Sequence, residues 1–163
     1  MRFTIALIAA SAAFTHGAAV FTQQTYNELS ISGGVAGNAL AEANDKFSAL
    51  DQNDLANVDQ ADIDFLGSVN SIANDAEDQA FDPAIDAASG ADADALQVGK
   101  IKNKVLKLQA QVLKLQIQQS QGEDVADDLA TEQTKLNTDV TTDEASAGAT
   151  SQAVDFDATT SSD

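Results

Sequence analysis

VGKIKNKVLKLQAQVLKLQIQ, residues 98–118, carries the clearest periodic signal in the chain. Val98, Ile101, Val105, Leu108, Val112 and Leu115 recur at alternating intervals of three and four, the a/d seam of a heptad pattern. The heptad is also a near repeat: VLKLQAQ at 105–111 becomes VLKLQIQ at 112–118. A second apolar ridge, Leu106, Ala110, Leu113 and Ile117, lies beside the first on a helical wheel, with Lys102, Gln109 and Gln116 between them. A helix with two adjoining ridges touches more than one neighbour, as the central helix of a bundle must. The spacing therefore predicts an all-α fold, an antiparallel bundle of about four helices around one long central helix. Leu106, Leu108, Leu113, Leu115 and Ile117 form its candidate core or interaction ridge.

Weaker helical patterns flank this segment. Val35, Ala39, Ala43, Phe47 and Leu50 predict a helix of about four turns after the Gly33-Gly34 pair. Phe65, Val69, Ile72, Ala73, Ala76 and Ala80 predict a second, capped by Asp59 or Asp62. Asp82-Pro83 reads as a restart, aspartate as N-cap and proline in the first turn. Gly122 ends the central helix, and Glu123-Asp124 opens a last one with a thin stripe of Val125, Leu129, Leu136 and Val140. Nine of the 23 residues from Thr141 onward are Ser or Thr, and residues 148–163 read as a disordered acidic tail.

At the other end, Met1-Arg2, the apolar run Phe3–Phe14 and small residues up to Ala19 fit a secretory signal peptide, residues 1–19, cut near Val20 or a few residues to either side. The run is too short to span a bilayer, and charges interrupt every later apolar stretch. The domain expected to fold is then 20–147, in an extracellular protein. Removal of 1–19 takes away His16 and Arg2, leaving 7 lysines against 26 acids, a formal charge of −19. Five of those lysines fall within 95–122, which holds no acid; such a basic face inside an acidic chain predicts internal ion pairs by Lys100, Lys107 and Lys114.

The composition excludes much chemistry. Phosphate contacts need lysine and arginine, so an acidic chain of pI about 4.1 points away from nucleic acid. With no cysteine there is no disulfide framework, thiolate or zinc–cysteine site. Serine catalysis lacks its usual histidine once His16 is cleaved. The nearest calcium-loop look-alikes, at Asp51 and Asp92, place Leu55 and Leu96 where an oxygen ligand belongs. No catalytic, cofactor or metal-binding residue is assigned, and no cofactor is expected.

Two stretches, TYNELSISGGVAGNALAEANDKF at 25–47 and FDPAIDAASGADADALQVGKIKNKVLKLQAQVLKLQIQ at 81–118, resemble a group of small secreted proteins of filamentous ascomycete fungi. The resemblance implies a candidate effector or a protein of the cell surface or culture fluid, and carries over no site residue. The plan, secreted, helical and acidic, is also similar to that of fungal hydrophobic-surface-binding proteins, a likeness of architecture alone. The leading expectation is a non-enzymatic interaction protein with a protein or cell-wall partner, monomeric or weakly oligomeric. The competing one is an amphiphile that exposes the central ridge to adsorb on hydrophobic surfaces.

Overall fold

The computed structural model describes residues 17–161, so the charged and apolar parts of the expected leader lie outside the described residues. In chain order the elements are α1 (Tyr26–Leu29), β1 (Gly34–Val35), α2 (Ala39–Lys46), α3 (Gln60–Ala76), α4 (Asp82–Ala87), α5 (Ala91–Ser120), α6 (Ala126–Ala145) and β2 (Thr150–Ser151). A 3-10 turn occupies Leu55–Asn57, and a π-helical turn, Glu77–Phe81, joins α3 to α4. The fold is all-α apart from the two-residue antiparallel pairing of β1 with β2, in which Gly34 faces Ser151 and Val35 faces Thr150. No helix among the described residues is long and apolar enough to cross a membrane.

The double ridge places α5 at the middle, in contact with α2, α3, α4, α6 and β2. Val105, Leu106, Leu108, Ala110, Val112, Leu113, Leu115 and Ile117 are all buried. At the start of the seam the pattern shifts: Val98 and Ile101 are half-buried, and Leu96, Gly99, Lys102 and Asn103 turn inward instead. The same core takes Ile63, Phe65, Leu66, Val69 and Ile72 from α3, Ala39 and Ala43 from α2, and Leu136 from α6. Phe21 stacks on Phe65 at 4.6 Å between ring centres and meets Phe47 edge-on.

Three sequence expectations change. The first helix is shorter than four turns, because Gly34 and Gly37 adopt left-handed φ of 83° and 111° that a helix does not admit. Val35 consequently sits in β1 and is exposed, whereas Phe47 and Leu50 stay buried beyond the end of α2. Asp82-Pro83 opens α4 with the proline in its first turn, as expected, but Asp82 is no N-cap: it has helical φ and ψ, and the chain runs from α3 into α4 through the π-turn. The Asp82 N–H reaches back to the carbonyl of Glu77, and this wider turn makes room for a proline ring that would otherwise crowd the preceding turn.

The third change concerns the tail. Residues 148–161 are not a disordered appendage but lie against the helices, tied down mainly by backbone hydrogen bonds. Gln152 N donates to Ala95 O at 3.0 Å, Tyr26 N to Ala158 O at 2.8 Å, and Thr160 N to Gln24 O at 2.9 Å. Phe156 meets Tyr26 edge-on, and Thr160 is fully buried. Backbone pairing of this kind needs no apolar side chains, which is why a Ser/Thr-rich composition did not announce it.

Candidate functional site

The five residues of the expected ridge, Leu106, Leu108, Leu113, Leu115 and Ile117, are none of them more than 5% exposed. They are packing residues of α5, and no open apolar surface is built from them. What does open to solvent above α5 is polar. A groove of about 460 Å³ lies between α3, α5 and α6, lined by Asn70 and Asn74, by Lys104, Lys107, Leu108 and Gln111, and by Glu132, Lys135, Thr138 and Asp139.

Helical spacing builds this groove. Asn70 and Asn74 stand one turn apart on α3, Lys104, Lys107, Leu108 and Gln111 on successive turns of α5, and Glu132, Lys135 and Asp139 likewise on α6. Ion pairs hold its walls. Lys107 Nζ lies 2.6 Å from Glu77 and donates to Asn74 Oδ1 at 3.2 Å, while Asn70 Nδ2 donates to the Lys107 carbonyl at 3.1 Å. Lys104 pairs with Asp139 at 3.2 Å and Lys135 with Glu132 at 2.7 Å. The groove therefore offers amide donors and acceptors together with charges of both signs, and one apolar side chain, Leu108, on its lining. Groups of this kind bind by hydrogen bonds and ion pairing.

The expected ion pairing is present for Lys100, which reaches Glu77 and Asp82, and for Lys107. Burial works against the charge of Lys100, but the Asp82 hydrogen bond and the two carboxylate charges outweigh it and raise its pKa above the usual lysine value. Lys114 makes no ion pair among the described residues; its Nζ lies over Gly67, 3.3 Å from where a Cβ would stand.

Sequence reasoning missed the polar line between the two ridges. Lys102 is completely buried, and its Nζ donates to the carbonyls of Gly33 (2.9 Å) and Val35 (3.1 Å) and pairs with Glu42 at 2.8 Å. Asn103, also fully buried, accepts from the Tyr26 hydroxyl at 2.8 Å and donates to Ala73 O at 2.8 Å. Gln109 donates to Asn44 at 2.8 Å. The signal was available: a polar row flanked by apolar ridges on both sides faces inward, whatever its polarity. Asp143, buried on α6, reaches across to accept from Gly37 N and Ala39 N, capping α2 from a distant part of the chain. No local pattern reports such a contact.

Among the described residues no three acidic side chains converge closely enough to hold a metal ion. No curated protein and no solved structure matches this chain. A family described as Domain of unknown function (DUF8454) matches residues 21–155, from the first buried phenylalanine through much of the docked C-terminal segment, and the chain belongs to that family.

Proposed function

We propose that this chain is a secreted, non-enzymatic interaction protein of the fungal small-secreted type, acting at the cell surface or as an effector. In this reading the helices form an antiparallel bundle around α5 and present the polar groove to a cell-wall or host component. One observation carries the reading: the only apolar side chain on the groove's lining is Leu108, while the apolar ridge beneath it is closed. A closed ridge favours a partner held by hydrogen bonds over adsorption to wax or plastic, which requires exposed apolar area.

The test compares the chain from Val20 with a Gln111→Trp variant that fills the groove. Insoluble fungal or plant wall material is expected to deplete the parent from solution saturably, and the variant with affinity lowered about tenfold or more. Polystyrene beads are expected to deplete neither. Strong depletion by beads, lost in a Leu113→Lys/Ile117→Lys variant that stays helical, would establish surface adsorption instead.

A further inference from the structure

Asp62 is the third residue of α3 and is 2% exposed. In a capping box the acid at this position reaches back to the N-cap N–H. Asp62 instead turns to the N-terminal segment: Val20 N donates to Oδ1 at 2.9 Å and Oδ2 at 3.1 Å, and Phe21 N to Oδ1 at 2.9 Å. Among the described residues no lysine or other cation pairs with this carboxylate. A buried carboxylate ordinarily finds a cation, because neutral donors compensate only part of its lost hydration.

The surroundings sharpen this. Val20, itself exposed, lines a small cavity of about 150 Å³ together with Gly17 and Ala18 of the leader; the charged side chains on that lining are Asp51, Asp54, Asp59 and Asp62, with no base among them. Asp51, Asp54 and Asp59 come from the Leu50–Asp59 connection and the N-cap of α3, so the facing charges from both packed elements are negative. Phe21, stacked on Phe65, fixes the position of the residue before it. Every charged side chain on this lining is acidic, and an internal peptide N–H at Val20 carries no positive charge to balance them.

We infer that Ala19–Val20 is a processing site and that the new α-ammonium of Val20 forms an ion pair with the buried Asp62 carboxylate, locking the mature N-terminus onto the start of α3. The inference rests on the secretory reading. Hydrolysis places the hydroxyl of water on the Ala19 carbonyl carbon and breaks its bond to nitrogen. The leader leaves with an Ala19 carboxylate, and the Val20 amine takes up the proton released. The nitrogen is already within hydrogen-bond distance of both Asp62 oxygens, so the ammonium needs no rearrangement to pair. The family match begins at Phe21, one residue past the new end.

A double cycle tests the pairing: the chain beginning at Val20, free or N-acetylated, each with and without Asp62→Asn. Acetylation is expected to lower the folding equilibrium constant of the parent by about tenfold or more, the worth of a charge-assisted bond, and to change the Asp62→Asn chain little. An NMR titration of the Val20 amine in the parent is expected to show a midpoint above the ordinary α-amine range of about 7.7–8.0. Equal losses in the two backgrounds together with an ordinary midpoint overturn the ion pair. Intact mass of the protein secreted from the full-length chain tests the processing separately: a first residue other than Val20 overturns the Ala19–Val20 site, and retention of Met1 overturns the leader reading, whatever the cycle shows.

Discussion

Lys102 shows what a single residue does in this core. It sits between two apolar ridges, and its ammonium closes the loop that carries β1 by binding the carbonyls of Gly33 and Val35 and the carboxylate of Glu42. Its aliphatic stem packs while its head is satisfied by three acceptors, so the residue is stabilising only as long as all three remain. Lys102→Met keeps the stem and removes the head, leaving two carbonyls without their donor. The expected loss is about 2–3 kcal/mol, read as a lower urea midpoint at unchanged m-value. Lys135→Met, which removes an exposed ion pair on α6, is expected to cost less than about 1 kcal/mol. Equal shifts in the two variants would mean that the Lys102 head is not held as described. The Tyr26–Asn103–Ala73 chain works in the same way, linking α1, α5 and α3 through two hydrogen bonds of 2.8 Å.

At the scale of elements, the crossing of the C-terminal segment over α5 depends on one missing side chain. A Cβ at Gly99 would stand 2.0 Å from the carbonyl oxygen of Gln152 and 3.2 Å from the Phe81 ring. In an open helix Gly→Ala stabilises by about 1 kcal/mol. Here the backbone of residue 152 must move away, breaking its bond to Ala95 O. Gly99→Ala is therefore expected to destabilise, by about 2 kcal/mol net, and to remove hydrogen-exchange protection at the Gln152 amide. A gain in stability would show that the segment does not cross there. The sequence announces α3 and α5 because each buries a repeating apolar stripe, and α6 more faintly, through buried Leu136 with Leu129 and Val140 half-buried beside it; Asp59 caps α3 through the Ala61 amide as its side chain suggests. It does not announce β1, β2 or the docked tail, whose contacts are backbone groups meeting from distant parts of the chain. The groove was illegible for a related reason. Its lysines were visible as charge on one face of α5, but the amides and acids opposite them come from α3 and α6, and only packing brings them into register.

For the whole molecule, charge is the dominant long-range term. Removal of residues 1–19 leaves 7 lysines against 26 acids, and four of those lysines are consumed in ion pairs along α5 with Glu42, Glu77, Asp82 and Asp139. The remaining carboxylates repel one another, so protonating a few of them stabilises the fold. The groups with shifted pKa values do not titrate in the range concerned. Glu28 is lowered by hydrogen bonds from the Thr25 backbone and side chain, so its contribution is present above the ordinary carboxyl value and lost only as pH falls below it. Lys100 is raised, so its contribution is complete below the ordinary lysine value and is lost as pH rises through the folded one. Tyr26 is raised by burial; the unfolded chain ionises first, and stability falls once pH passes about 10. Between pH 5 and pH 8 the self-repulsion therefore sets the slope; the Val20 ammonium, paired with Asp62, adds a loss of the same sign only as pH rises past the ordinary α-amine value of about 8. The melting temperature of the chain from Val20 is expected to be higher at pH 5 than at pH 8 in low salt, with the gap narrowed by added salt. Above pH 10 it should fall steeply, in step with ionisation of the chain's single tyrosine followed by ultraviolet absorbance. A melting temperature that drops from pH 8 to pH 5 would mean that carboxylates paired along α5 outweigh the excess, and that the acidic surface is organised by those pairs rather than strained by its own charge.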